Sequence, residues 1–196
     1  WRLNPYWSLY EMSNKSEKNR IIASGQLRYE FSPVLSAQLT SGIDYSGYYF
    51  EEYVPRTTPG DIPGRLRRQT FDNLTYNHEL LISFKKSFKD VSLSANIGGS
   101  IFGIDNTIMD AEGKNMKGDA ISLNSYLQKD VKQSSYRKEI NSVFGMISAG
   151  YKSYLYVDAT LRRDQSSTLP LADNTYLYPS VSGSFIFTDA FKLAGK

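Results

Sequence analysis

The stretch Arg20–Phe31, RIIASGQLRYEF, carries Ile21, Ala23, Gly25, Leu27, Tyr29 and Phe31 at its odd positions. Its even positions hold Arg20, Ser24, Gln26, Arg28 and Glu30, with Ile22 the exception. Successive side chains of a β-strand point to opposite faces, so a period of two means one apolar and one wet face. Ser32-Pro33 breaks the run, and roughly 34–48 repeats it. There Leu35, Ala37, Leu39, Ile43 and Tyr45 oppose Ser36, Gln38, Thr40 and Asp44.

The same reading extends along the chain. A third strand over roughly 70–86 sets Leu74, Tyr76, Leu80, Ile82 and Phe84 against Asn73, Thr75, Asn77, Glu79, Ser83 and Lys85, with Leu81 the exception. A fourth, roughly 91–104, sets Val91, Leu93, Ala95, Ile97 and Ile101 against Ser92, Ser94, Asn96 and Ser100. The fifth, roughly 136–151, is the least clean, because Phe144 and Met146 fall among its polar positions. A sixth (roughly 154–163) alternates Leu155, Val157, Ala159 and Leu161 with Tyr156, Asp158, Thr160 and Arg162. A seventh (roughly 176–188) alternates Val181, Gly183, Phe185 and Phe187 with Ser180, Ser182, Ser184 and Thr188. Short turns are expected near 32, 88, 152 and 190, the last leading toward an eighth strand. Long loops are expected over 1–19, 50–70, 105–135 and 164–175, with Ile121–Leu127 a short ordered piece within the third. Pro55, Pro59, Pro63, Gly60 and Gly64 mark the second.

Alternation of this kind also suits a soluble β-sandwich. Three features favour a membrane. A strand of about 11 residues, tilted about 40°, rises roughly 28 Å, close to the height of an outer-membrane apolar band. Tyr29, Phe31, Phe84, Tyr151 and Phe187 gather at the turn ends of the apolar faces, where an interfacial girdle sits. The polar faces carry Ser, Thr, Asn, Gln, Arg and Glu together, as a wet lumen tolerates, and the alternation of short and long connections, as of periplasmic turns and extracellular loops, adds to these. The expected fold class is therefore all-β: an antiparallel transmembrane β-barrel segment with one face to lipid. Seven strands with two raw edges would leave backbone groups unpaired in hydrocarbon, so the segment is expected to belong to a larger barrel.

Composition narrows the chemistry. The chain has 196 residues, no Cys, one His and a net charge of +3. No disulfide or thiolate metal site is possible. The charge is too small to argue for a nucleic-acid partner. No apolar run is long enough for a transmembrane helix, no signal peptide is visible, and a chain opening on Trp1 reads as mature or partial. No catalytic constellation is expected. His78, in phase with Tyr76 and Leu80, reads as an interfacial residue rather than a base. Asp105, Asp110, Glu112 and Asp119 lack EF-hand spacing and read as a solvated acidic loop. Arg65, Arg67 and Arg68 read as a loop cluster, solvated or pairing with lipid phosphates or a partner protein. Gly98-Gly99 and Gly103 open no helix and read as strand bends or close packing. The expected ligand-facing residues are rim aromatics, Tyr48, Tyr49, Phe50 and Tyr53, with girdle packing their structural alternative. No cofactor or metal is expected.

Several strings carry a resemblance: NPYW at Asn4–Trp7, the run from Ile140 to Pro170 containing RRDQSSTLP, and YLYPSVS at Tyr176–Ser182. Together they resemble the SusC/RagA family of TonB-dependent outer-membrane transporters, with Gln165 standing where the family often has Gly. The resemblance implies a barrel of about 22 strands with an N-terminal plug. It also implies a periplasmic contact to TonB and a SusD-like surface lipoprotein as lid. The substrate implied is an oligosaccharide or oligopeptide, glycan first, imported across the outer membrane of a Gram-negative bacterium. No plug and no TonB-contacting segment is recognisable here, so the whole chain, 1–196, reads as part of one barrel domain. Trp1 and Trp7 are candidates for lid contact or simple loop anchors. A passive porin and a soluble sandwich module remain the alternatives.

Overall fold

The computed structural model describes residues 3–60, 63–118, 120–191 and 193. Seven strands form one sheet in the order β1-β2-β3-β4-β5-β6-β7. They are β1 (Ser13–Ser32), β2 (Leu35–Val54), β3 (Arg65–Phe88), β4 (Val91–Met116), β5 (Tyr126–Tyr151), β6 (Leu155–Ser166) and β7 (Thr175–Phe185). Short helices α1 (Pro5–Tyr10) and α2 (Phe187–Ala190) and a 3₁₀ turn at Leu123–Ser125 complete the elements. Sequence neighbours are sheet neighbours throughout, which makes the sheet a meander. The fold is the all-β, antiparallel barrel segment expected. Among the described residues no helix is long and apolar enough to cross a membrane.

The expected strands are present and several are longer than the alternation suggested, but the seventh ends at Phe185, so Phe187 and Thr188, expected on its two faces, lie in α2. The loops expected over 50–70 and 105–135 are mostly strand: β2 runs to Val54, β3 starts at Arg65, β4 runs to Met116 and β5 starts at Tyr126. Residues 1–19, expected as loop, supply α1 and the start of β1. The turn expected at 188–191 is the helix α2, and no eighth strand follows among the described residues. Trp1 and Asp119 lie outside the described residues.

The chain divides into two compact units. The first comprises Trp1–Ile22, Asp44–Thr75 and Ile104–Arg137. It has a small core: Leu66, Met116 and Tyr126 are buried, with Tyr53 and Leu123 packed against them. Gly113 lies beneath the Tyr126 ring, where an added Cβ would come within 2.7 Å of it. Burial raises the Tyr126 phenol to about 12. Asn4 caps α1 by accepting from the Tyr6 amide at 3.0 Å, Pro5 takes the first helical turn, and the Trp7 indole donates to buried Thr58 at 3.0 Å. The NPYW string is thus a cap and an anchor.

The second unit comprises Ala23–Ile43, Tyr76–Gly103 and Lys138–Lys196. It buries no large apolar side chain among the described residues. Leu27, Leu80, Ile97, Val143, Leu161 and Val181 are instead all exposed, on the faces that alternation makes apolar. At the turn end, rings chain together from Tyr151 through Tyr154 and Phe185 to Phe191, at centroid separations of 5.7, 6.0 and 6.3 Å. Lys152 and Ser153 form the β5–β6 turn with φ of 47° and 62°, the positive values of a tight hairpin. β5 and β6 pair from Tyr151↔Leu155 to Ile140↔Ser166, and β6 and β7 from Leu155↔Phe185 to Gln165↔Thr175.

Candidate functional site

In the first unit the candidate site is the polar face of β2, β3 and β4. Cross-strand ion pairs build it. Arg67 makes a fork to Asp110, at 3.0 and 2.6 Å, and Gln69 adds a bond to the same carboxylate at 2.9 Å. Arg65 reaches Glu52 at 3.3 Å and Glu112 at 3.9 Å, and Lys114 reaches Glu112 at 2.9 Å. The Arg67 guanidinium holds the Asp110 carboxyl below its ordinary value. Arg68 points the other way and pairs with Glu51 at 2.6 Å, which also accepts from the Tyr49 hydroxyl at 2.7 Å. Partial burial pushes the Glu51 carboxyl up, but the bonds from Tyr49 and Arg68 outweigh it and leave the carboxyl below its ordinary value.

These pairs correct two expectations. Arg65, Arg67 and Arg68 are strand residues of β3, and each guanidinium engages a carboxylate of a neighbouring strand. Asp105, Asp110 and Glu112 lie in β4 rather than in an acidic loop, and Asp105 meets Arg137 at 3.6 Å. No group of side chains among the described residues is arranged to hold a metal ion.

The four rim aromatics do not share one surface. Tyr48 and Phe50 occupy even positions of β2, and Tyr48 meets Phe71 at 5.6 Å. Tyr49 and Tyr53 occupy odd positions, Tyr49 on Glu51 and Tyr53 against the Leu66 core. Alternation along a strand separates sequence neighbours in this way. Only Tyr48 and Phe50 stand on the face with Glu52, Arg65, Arg67 and Asp110.

In the second unit the polar face is assembled around Phe144. An added Cβ on Gly98 would lie 2.6 Å from its ring and 2.8 Å from the Leu80 carbonyl oxygen. Gly98 is therefore the floor on which Phe144 lies. Arg162 covers the ring at 5.7 Å, bonds Asp164 at 2.8 Å and donates to buried Ser142 at 3.0 Å. Sequence alternation could not explain Phe144 on a polar face; a cross-strand glycine and a cation explain it. Asp158 accepts from Ser182 at 3.5 Å on the same face.

On the opposite face, Tyr76 lies over Gly103 and its hydroxyl reaches Glu139 at 3.0 Å. His78 bonds Ser41 through Nδ1 at 2.8 Å and sits 5.6 Å from the Tyr76 ring, at the polar margin of the apolar face. The serines of the RRDQSS string are structural: Ser167 Oγ accepts from the Glu139 amide at 2.8 Å, and the Ser167 amide donates to the Glu139 carbonyl at 2.9 Å.

No family model matches the sequence, and no curated protein matches it. Solved structures do resemble it. A structure of the RagAB peptide transporter superposes with a TM-score of 0.82 at 19% identity, covering 97% of this chain and 22% of that one. The RagAB peptide importer in its closed-closed state gives 0.83 at 19% identity, covering 98% and 22%. Its open-open state gives 0.82 at 19% identity, covering 97% and 22%. The chain spans about a fifth of the length of these relatives in structure, and at this identity the likeness establishes the fold.

Proposed function

We propose that the chain is part of the wall of an outer-membrane barrel that imports an oligomeric nutrient with energy delivered through TonB. The observation that carries this reading is the second unit's sheet face. Val181 is 77% exposed, Leu27 69%, Val143 59% and Ile97 58%, with no apolar partner layer among the described residues. A contiguous apolar face of that kind calls for hydrocarbon or another apolar surface. The likeness to peptide transporter structures over nearly the whole chain supports the same reading. It also brings an oligopeptide ahead of the glycan expected from sequence.

In this reading residues 1–196 are wall and outer vestibule of one barrel domain, and the plug and the TonB contact belong to other parts of the protein. A SusD-like lipoprotein covers the extracellular side. The connections at 55–64, 117–125 and 167–174 are extracellular, and those near 33, 89 and 152 are periplasmic. The polar faces line the lumen, where Tyr48 and Phe50 offer stacking surfaces beside the Glu52, Arg65, Arg67 and Asp110 charges. Tyr49 and Tyr53 act as packing residues.

Deleting the gene should abolish growth on one oligomeric nutrient and spare growth on its monomer, and deleting TonB should do the same. Uptake that persists without TonB would make the barrel a passive porin. Tyr48→Ala should weaken substrate binding more than Tyr49→Ala in a correctly folded barrel; the reverse order would remove the proposed role of the Tyr48 face.

A further inference from the structure

The apolar face of the second unit is interrupted by a recess of about 410 Å³. Leu39, Leu80, Gly99, Ile101 and Val143 form its apolar walls. The recess opens where Gly99 has no side chain; an added Cβ there would meet only the Ser142 carbonyl oxygen, at 3.3 Å. A second recess of about 430 Å³, lined by Ile82, Ala95, Ile97, Gly145 and Leu161, continues along the same face.

One margin of the first recess is polar. Arg163 pairs with Val143 on β5 and with Leu177 on β7, so alternation sets it among apolar side chains. Asn141 and Gln165 stand opposite each other in register two residues further along, with the Gln165 amide donating to Asn174 at 3.5 Å, and His78 stands at the same margin. Arg163 is exposed, and among the described residues no carboxylate lies within ion-pair distance of it. The nearby carboxylate of that face, Glu139, already accepts from Tyr76 and from Asn141, each at 3.0 Å.

A guanidinium at the border of hydrocarbon costs little by itself, and anionic headgroups at that depth attract it. Its planar fork matches a phosphate in two hydrogen bonds. From Leu155, at the short turn, to Arg163 is eight residues, which rise roughly 20 Å in a strand tilted about 40°. That places Arg163 near the far border of an apolar band about 25 Å tall, at headgroup depth in the outer leaflet. A protein segment laid on this face would have to bury the charge; a lipid phosphate neutralises it.

We propose that Arg163, beside Asn141 and Gln165, binds the phosphate of one phosphorylated outer-leaflet lipid, whose acyl chain fills the recess over Gly99 and runs on toward Gly145. The inference rests on reading the chain as outer-membrane wall. Its test uses the intact protein in phosphatidylcholine nanodiscs, titrated with fluorescent monophosphoryl lipid A or its dephosphorylated form. The wild type should prefer the phosphorylated lipid. Arg163→Gln should weaken its binding about fivefold, as for loss of one basic residue at a membrane surface, and erase the preference. Gly99→Leu, which fills the recess, should weaken both lipids alike, whereas Arg137→Gln should change neither. Heat-resistant mobility on gels establishes folding, and if Gly99→Leu does not fold, Arg163→Gln decides. An unchanged affinity and phosphate preference in Arg163→Gln would overturn the site. So would a polypeptide that co-purifies on this face and is lost from Gly99→Leu while lipid binding stays constant. A protein that does not enter nanodiscs at all sinks the outer-membrane reading as well; one that enters, folds and shows no preference sinks only the lipid site.

Discussion

Replacing Ile97 by Arg separates a lipid-facing wall from a water-facing sheet, because the two predict opposite outcomes. Ile97 is 58% exposed. On a soluble sheet, an exposed apolar residue exchanged for Arg changes stability by about 0.5 kcal/mol or less. In a membrane the depth of the site sets the cost. Ile97 is six residues from Val91, where β4 begins. Six residues at about 3.3 Å, tilted about 40°, rise roughly 15 Å into a band about 25 Å tall, which is close to its middle. Arg at the midplane of an outer-membrane barrel costs about 2–4 kcal/mol. The neighbouring Asn96 points to the other face, so Asn96→Arg should cost far less. Urea titrations of the intact protein folded into phospholipid vesicles measure both variants. A loss of about 2 kcal/mol or more for Ile97→Arg, with a loss under about 1 kcal/mol for Asn96→Arg, fits the barrel. Equal losses, or an Ile97→Arg protein as stable as wild type, would refute the facing assigned to β4 and with it the membrane reading of the sheet.

Gly98→Val should destabilise the barrel by about 2 kcal/mol or more, since its Cβ would meet the Phe144 ring at 2.6 Å and the Leu80 carbonyl at 2.8 Å. Adding Phe144→Ala should recover part of the loss, and a double-mutant cycle with no coupling would deny that the two residues pack together. The Asp110 carboxyl is held below its ordinary value in the folded state. Its contribution is therefore present above the unfolded carboxylate value of about 4 and is lost as pH falls through the folded value. Amide protection around Arg67–Gln69, corrected for intrinsic exchange, should fall as pH drops below about 4 in the wild type, about 4 being the unfolded carboxylate value. Arg67→Gln should flatten that dependence; an identical profile in the variant would show that the fork contributes nothing.

How far the sequence could be read depended on which solvent each stretch faces. In the second unit one side of every strand is apolar, so period-two alternation located the strands and faces of Ala23–Ile43, Tyr76–Gly103 and Lys138–Phe185. In the first unit that signal disappears. Residues such as Glu51, Glu52, Arg65, Arg67, Arg68 and Asp110 are charged on both faces, and they form strand because carboxylates and guanidinium groups pair across the sheet. Read one segment at a time, the same residues look like loop. The proline and glycine cluster at 55–64 marked a real connection but gave no measure of how far the strands extend on either side.

The site was legible in composition and opaque in geometry. Tyr48, Tyr49, Phe50 and Tyr53 look like one platform because they are adjacent in the chain, yet adjacency within a strand guarantees separation between its faces. What a strand residue meets is set by its partners across the sheet, many positions away. Phe144 is the clearest case: alone it breaks the alternation of β5, but with Gly98 beneath it and Arg162 above it becomes a polar-face residue held in place by two other strands. Arg163 is the converse. Its position among Leu161, Val143 and Leu177 follows from alternation and register. Nothing in the sequence alone marks it, because it reads as half of an Arg pair, whose two members the strand sends in opposite directions. Arg162 closes a polar network on one face, and Arg163 leaves a cation at the edge of an apolar one.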